Sequence, residues 1–193
     1  MKRLEDFADI HSHRRTDGDD GERVVNIAPG EETEDGRGAY SVGIHPWATD
    51  KPVDAATIEA LRIAAADPRV VAIGETGIDA LRGGSADYQE EIFRLHARLA
   101  EELGKPLIIH AVRSFPRLIG LRKELKPSAR WIIHGFRGKA ALARELLRHG
   151  FDLSFGEHFN AEAAAAVPDD RKFYETDESD LTIEEIKRRI NGL

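Results

Sequence analysis

Eight short apolar runs punctuate this chain, and their texture constrains the fold more than any other feature. They are Asp6–His11, Arg23–Ala28, Ala39–His45, Val70–Gly74, Pro106–His110, Arg130–His134, Phe151–Phe155 and Lys172–Glu175. Most are continuous rather than alternating, the pattern of strands covered on both faces of a parallel sheet. Between them, helical periodicity predicts helices over Asp54–Ala66, Ala86–Leu103, Phe115–Leu125, Lys139–His149, Asn160–Val167 and Thr182–Ile190. In the second of these, Ile92, Leu95, Leu99 and Leu103 recur at helical steps as a core-facing stripe. Gly104 and Gly150 stand where C-terminal caps belong. Strand–helix alternation with eight strands predicts an α/β protein, a (β/α)8 TIM barrel. After the first two strands, Arg14–Glu22 and Pro29–Gly38 are short, charged and glycine-containing, with no room for a crossover helix. A barrel usually takes about 250 residues. At 193 residues this chain is expected to be a compact one, a single domain over 1–193.

The strand ends carry the chemistry. Side chains alternate along a strand, so in Asp9-Ile10-His11-Ser12-His13 the two imidazoles share a face, and Asp9 on that face is expected to orient a ring. Glu75 follows Val-Val-Ala-Ile-Gly, His110 follows Pro-Leu-Ile-Ile, His134 follows Trp-Ile-Ile, and Asp177 follows Phe-Tyr-Glu-Thr. All fall toward C-terminal strand ends, where such barrels keep their active sites. Four histidines and two carboxylates exceed what one tetrahedral ion takes, and they match the ligand count of a two-metal hydrolytic site. The chain has no cysteine, which excludes disulfides and thiolate ligands. His and carboxylate donors suit Zn, Mn, Fe or Ni better than Mg.

The net charge of −7 argues against a broad grip on duplex nucleic acid, which rests on many Lys and Arg contacts to phosphates. No run approaches the roughly 20 apolar residues of a membrane span, and the N-terminus lacks an export-type apolar segment. The expectation is a cytoplasmic monomer with no membrane partner.

Taken in order, D-I-H-S-H, Gly43-Ile44-His45-Pro46-Trp47, Ile73-Gly74-Glu75-Thr76-Gly77-Ile78-Asp79, Ile108-Ile109-His110, Ile133-His134-Gly135-Phe136-Arg137-Gly138 and Glu175-Thr176-Asp177 resemble the motifs of the TatD family of metal-dependent deoxyribonucleases. The resemblance implies a dinuclear site at a barrel mouth. His11, His13 and Asp177 would hold one metal, His110 and His134 the other, and Glu75 would bridge both. It also implies a hydrolase of phosphoesters, a deoxyribonuclease or 3′-exonuclease. The chain departs from the family's usual substrate-gripping parts. Arg113 comes one place late after His110, Arg137 replaces a small polar residue, and Ala80-Leu81-Arg82-Gly83-Gly84 replaces an aromatic and basic stretch. Glu178-Ser179-Asp180 stands where a proline and a basic segment usually follow the strand-eight Asp.

Glu75, Asp177 and His45 are therefore the expected catalytic residues. Asp177 would take a proton from water, and Glu75 would hold the ions together. His45, with Arg113 or Arg137, would face the substrate, a small phosphoester or a short single-stranded DNA end. A purely structural role for the Gly-x-His-Pro-Trp turn, with His45 packed on Trp47, is the competing reading. Likewise Glu75 could pair with Arg82 or Arg113 instead of metal. His96, between Arg94 and Arg98, is expected to face solvent. His149 suits a helix C-terminus, and His158 is expected to lie outside the site. The alternatives for the whole chain are an amidohydrolase acting on a C–N or lactone bond, and a metal-binding protein that has lost activity.

Overall fold

The structure, a computed structural model, describes residues 2–14, 22–33 and 38–192. Eight strands lie in one parallel sheet in chain order: β1 (Asp9–Ser12), β2 (Arg23–Ile27), β3 (Ala39–Val42), β4 (Val70–Asp79), β5 (Leu107–Val112), β6 (Trp131–Ile133), β7 (Phe151–Phe155) and β8 (Lys172–Tyr174). The ring closes just beyond β8. Asp177 N–H donates to His11 O at 2.9 Å and His13 N–H donates to Asp177 O at 3.1 Å, so the two ends of the sheet meet through three ligand candidates.

Helices α1 (Ala55–Ala66), α2 (Ala86–Leu103), α3 (Phe115–Leu125), α4 (Ala140–Arg148), α5 (Ala161–Ala166) and α6 (Ile183–Asn191) follow β3 to β8. Their bounds reflect caps legible in the sequence. Asp54, Ser85, Asn160 and Thr182 each accept a bond from an N–H of the first turn, and Thr182 forms a capping box with Glu185. Gly104 ends α2 in the left-handed region at φ 62°. The described parts of the connections after β1 and β2 hold no helix, as expected. Most of the first and part of the second, residues 15–21 and 34–37, lie outside the described residues. No helix among the described residues is long and apolar enough to cross a membrane.

Two cores sit on either side of the strands. The larger, with Phe93, Trp131, Phe151 and Phe155, packs the helices onto the sheet. The smaller joins Leu4, Phe7 and Ile10 to Val24, Ala39, Ala72, Ile108, Ile132 and Phe173, one or two from each of several strands. This smaller cluster fills the barrel interior. The two-residue strand period then puts Asn26, His110, His134 and Glu175 on the same inward face, directly above Val24, Ile108, Ile132 and Phe173.

Two expectations need correction. The stripe on α2 holds for Ile92, Leu95 and Leu99, which pack on the core beside Phe93, His96 and Ala100, but Leu103 at the last turn is exposed. His96 is fully buried and not solvated. Its Nδ1 lies 2.8 Å from the Ile92 carbonyl, and its Nε2 accepts from Ile44 N–H at 2.9 Å, so the proton sits on Nδ1. Burial lowers its pKa to about 4. The imidazole is thus a neutral strut from α2 to the turn that carries His45.

Candidate metal centre

Glu75 is the hub of the barrel mouth. It lies near the middle of β4, since that strand runs on to Asp79, and its side chain is only 2% exposed. Two features aim it. Asn26 Oδ1, from β2, accepts from Glu75 N–H at 2.7 Å. Gly43 lets the end of β3 come close, because a Cβ there would stand 2.5 Å from the Glu75 carbonyl oxygen.

The two carboxylate oxygens face different histidines. Oε1 lies 2.7 Å from His110 Nδ1, 2.8 Å from His134 Nε2 and 3.1 Å from His45 Nε2. Oε2 lies 3.3 Å from the Nε2 atoms of both His11 and His13. Asp177 Oδ1 stands 3.9 Å from His11 Nε2 and 3.7 Å from His13 Nε2. All six predicted ligands therefore converge, in two groups that share Glu75. Neither Arg82 nor Arg113 forms an ion pair with it among the described residues.

Electrostatics agrees with a cation site. Burial raises the Glu75 carboxyl, but His134, His11, His110 and His13 outweigh it and hold the group well below the carboxylate range. Burial pushes His134 down, while Glu75 and Glu175 hold it well above the usual imidazole value. His11 is fully buried, and neither ring nitrogen has a hydrogen-bond partner among the described residues. A buried, unpartnered imidazole nitrogen is costly in a protein that offers it nothing to bind. With a carboxylate of Glu75 and one of Asp177 beside it, His11 fits a divalent ion, as do the other nitrogens pointed at Glu75.

Supporting residues that sequence reasoning passed over hold these rings. Asp79 Oδ2 lies 3.2 Å from His110 Nε2 and accepts from Trp47 Nε1–H at 2.7 Å, which leaves His110 Nδ1 for Glu75 or a metal. Glu175, fully buried on the strand-eight side, accepts from Gly135 N–H at 2.6 Å and stands 3.4 Å from His134 Nδ1. Both carboxylates lay inside quoted motifs, two residues from a proposed ligand or at a strand end. Only their through-space neighbours distinguish them. Asp9 differs from its expected role: it bonds the backbone of His11 and Thr176 and the Thr176 hydroxyl, with Arg23 at 3.3 Å, and touches no imidazole.

His45 combines both readings given for it. It lies three residues past β3, caps the short 3-10 turn Pro46–Asp50 by accepting from Trp47 N–H at 3.1 Å, and packs edge-on against that indole. Its Nε2 nonetheless points at Glu75. Asp177 adopts a left-handed backbone at φ 53°, a conformation Asp tolerates better than most residues, held by its two bonds to β1. Arg113 and Arg137 line the main cavity of about 640 Å³ with His13, His45 and Trp47. Arg137 and Asp177 also border a second hollow of about 320 Å³, which His158 lines as well.

The sequence matches the family profile described as TatD related DNase over residues 12–191. The chain belongs to the TatD-related DNase family. Among curated members it is 36% identical over 156 residues to a Mycobacterium tuberculosis protein described as an uncharacterized metal-dependent hydrolase, TatD, covering 74% of this chain and 58% of that one. It is 36% identical over 147 residues to the Escherichia coli K12 metal-dependent hydrolase YcfH, covering 72% and 54%. A Musicola paradisiaca protein described as the 3′-5′ ssDNA/RNA exonuclease TatD is 32% identical over 149 residues, covering 71% of this chain and 55% of that one. This member of the family thus spans little more than half the length of these relatives. The crystal structure of the Escherichia coli TatD homologue YJJV superimposes with a TM-score of 0.69 at 22% identity, over 81% of this chain and 67% of that one. That likeness supports the barrel.

Proposed function

We propose that this chain is a divalent-metal-dependent phosphodiesterase acting on the 3′-ends of short single-stranded nucleic acids. The observation that carries the reading is Glu75, whose oxygens each face a separate cluster of imidazoles. His11, His13 and Asp177 would hold one ion, His110 and His134 a second, with Glu75 shared. Bound ions of this kind supply Lewis-acid chemistry, acidifying water and neutralising charge on a phosphoryl group.

The chain's own groups do the rest. Asp177 is about a quarter exposed and faces both hollows, so it is placed to accept a proton from water entering there. His45 Nδ1 accepts the Trp47 N–H, which puts its ring proton on Nε2, 3.1 Å from Glu75 Oε1 at the edge of the ligand cluster that a phosphate would enter. Arg113 and Arg137 make no ion pair among the described residues and can orient non-bridging oxygens. A name borne by one relative, a 3′-5′ ssDNA/RNA exonuclease, favours a strand end over an internal bond.

An amidohydrolase reading has the same barrel and ions, and its enzymes often bridge their metals with a carboxylated lysine from strand four. Here that place belongs to Glu75, which favours the phosphoester. The test is metal-loaded protein on a phosphodiester dye, a 3′-labelled oligonucleotide and an amide panel, with elemental analysis in parallel. Two ions per chain and phosphodiester turnover are expected, and Glu75→Gln should lower both occupancies. A plateau at one ion, or amide turnover alone, would overturn the assignment.

A further inference from the structure

We propose that Trp47 and Arg82 form a base-stacking subsite at the rim of the metal centre, which selects a nucleobase beside the phosphate to be cleaved. The inference rests on the phosphodiesterase reading and extends it to the substrate's other half. Trp47 is 45% exposed, the largest aromatic ring left so among the described residues, and it lines the main cavity. The Arg82 guanidinium lies over its ring, 4.4 Å from the centroid. Arg82 is exposed and makes no ion pair or side-chain hydrogen bond among the described residues. Arg94 and Arg117, by contrast, each pair with a carboxylate across the surface. A cation stacked on an indole with all its N–H groups free is a plate that lacks its second layer.

The plate is held firmly, and at the correct distance. Gln89, only 1% exposed, donates from Nε2 to the carbonyls of Asp79, Arg82 and Gly84. Gly84 N–H donates to Thr49 Oγ1 at 3.0 Å, inside the Pro46–Asp50 turn. Gly83, at φ 82°, lies so near that turn that a Cβ would meet Pro46 O at 2.1 Å. The Arg82 loop and the Trp47 turn are thereby locked as one unit. Trp47 Nε1–H anchors that unit to Asp79, which also holds His110, and the indole centroid lies 5.9 Å from the His110 ring. Trp47 lines the cavity above the ligands with Arg82 against its ring, so a phosphate held at the ligands would set its neighbouring base beside this pair. Stacking of this kind tolerates any base, since each has a π-face. The prediction is a preference for base-bearing ends without sequence selectivity.

The indole also reports on its own occupancy. The chain has two tryptophans, and Trp131 is fully buried, so a ligand that quenches fluorescence acts on Trp47. Metal-loaded protein is titrated with a phosphorothioate-linked single-stranded trinucleotide and with its abasic counterpart. The base-bearing probe should quench emission and bind about tenfold more tightly, as one lost stacked base implies. Arg82→Ala leaves the Trp47–Asp79 bond in place and is the deciding variant. It should reduce the preference severalfold, to what the indole alone supplies, with metal content unchanged, and Arg82→Lys, which keeps the charge but not the plane, should restore little of it. Equal affinity for both probes in wild type, or an Arg82→Ala loss that is the same for both, would overturn the subsite and leave Arg82 a simple phosphate contact. Absence of phosphodiester turnover with the preference intact would instead overturn the functional reading alone.

Discussion

His96 makes a sharp prediction because its environment is simple. It is wholly buried, its proton is committed to Ile92 O, and its Nε2 must stay unprotonated to receive Ile44 N–H. Its pKa falls from 6.5 to about 4 through burial. In the unfolded chain the same imidazole takes a proton near pH 6.5. Between those values the unfolded state binds more protons than the folded one, so stability declines as pH falls through the window and is unaffected above it. The loss approaches about 1.4 kcal/mol per pH unit, or about 3 kcal/mol by roughly pH 4, and full burial calls for no solvent discount. His96→Gln removes this titration. The assay is urea unfolding of chelator-treated wild type and variant from about pH 7 to about pH 4, where every other histidine contributes equally to both. At the upper end the variant should be less stable by about 1–3 kcal/mol for the strut it loses. Toward acid the two should converge. Parallel curves, or a His96 resonance titrating near 6.5, would refute the account.

Three further outcomes follow from the site. Asp177→Asn preserves tolerance of the left-handed backbone, and should reduce turnover by about 100-fold or more while metal content falls far less, read by elemental analysis beside kinetics. Asp79→Asn should weaken metal binding by about 10–100-fold through the loosened His110 ring, measured by competition with a chelator. Two arginine contacts to a single strand imply less than about a tenfold fall in affinity between about 50 and 200 mM salt, and weak duplex binding; a steeper fall would place the substrate on a wider basic surface.

Continuous apolar runs were enough to place eight parallel strands, because such strands are buried on both faces and the pattern needs no partner to be seen. Helix ends were equally legible, since Asp54, Asn160, Thr182 and Gly104 act through their own first or last turn. The ligand candidates each sit at or just past the end of an apolar run; the period of two aims His110 and His134 inward, whereas His11, His13 and Glu75 reach the same side through register irregularities in β1 and β4.

What tertiary structure decided are relations across strands and between helix and sheet. Sequence spacing cannot say which Glu75 oxygen faces which imidazole, because that depends on the register shift where β3 meets β4 and β4 meets β5. Nor can it tell that Asp79 and Glu175 buttress His110 and His134, since both partnerships cross from one strand to another. His96 shows the limit most plainly. Its neighbours Arg94 and Arg98 suggested solvent, yet the α2 face that carries it turns onto the sheet and finds the unpaired N–H of Ile44. Arg82 and Trp47, 35 positions apart, meet only because Gln89 and Thr49 tie their loops together. A single sequence records the period of its own backbone, and it carries no comparable mark of the neighbours that folding supplies.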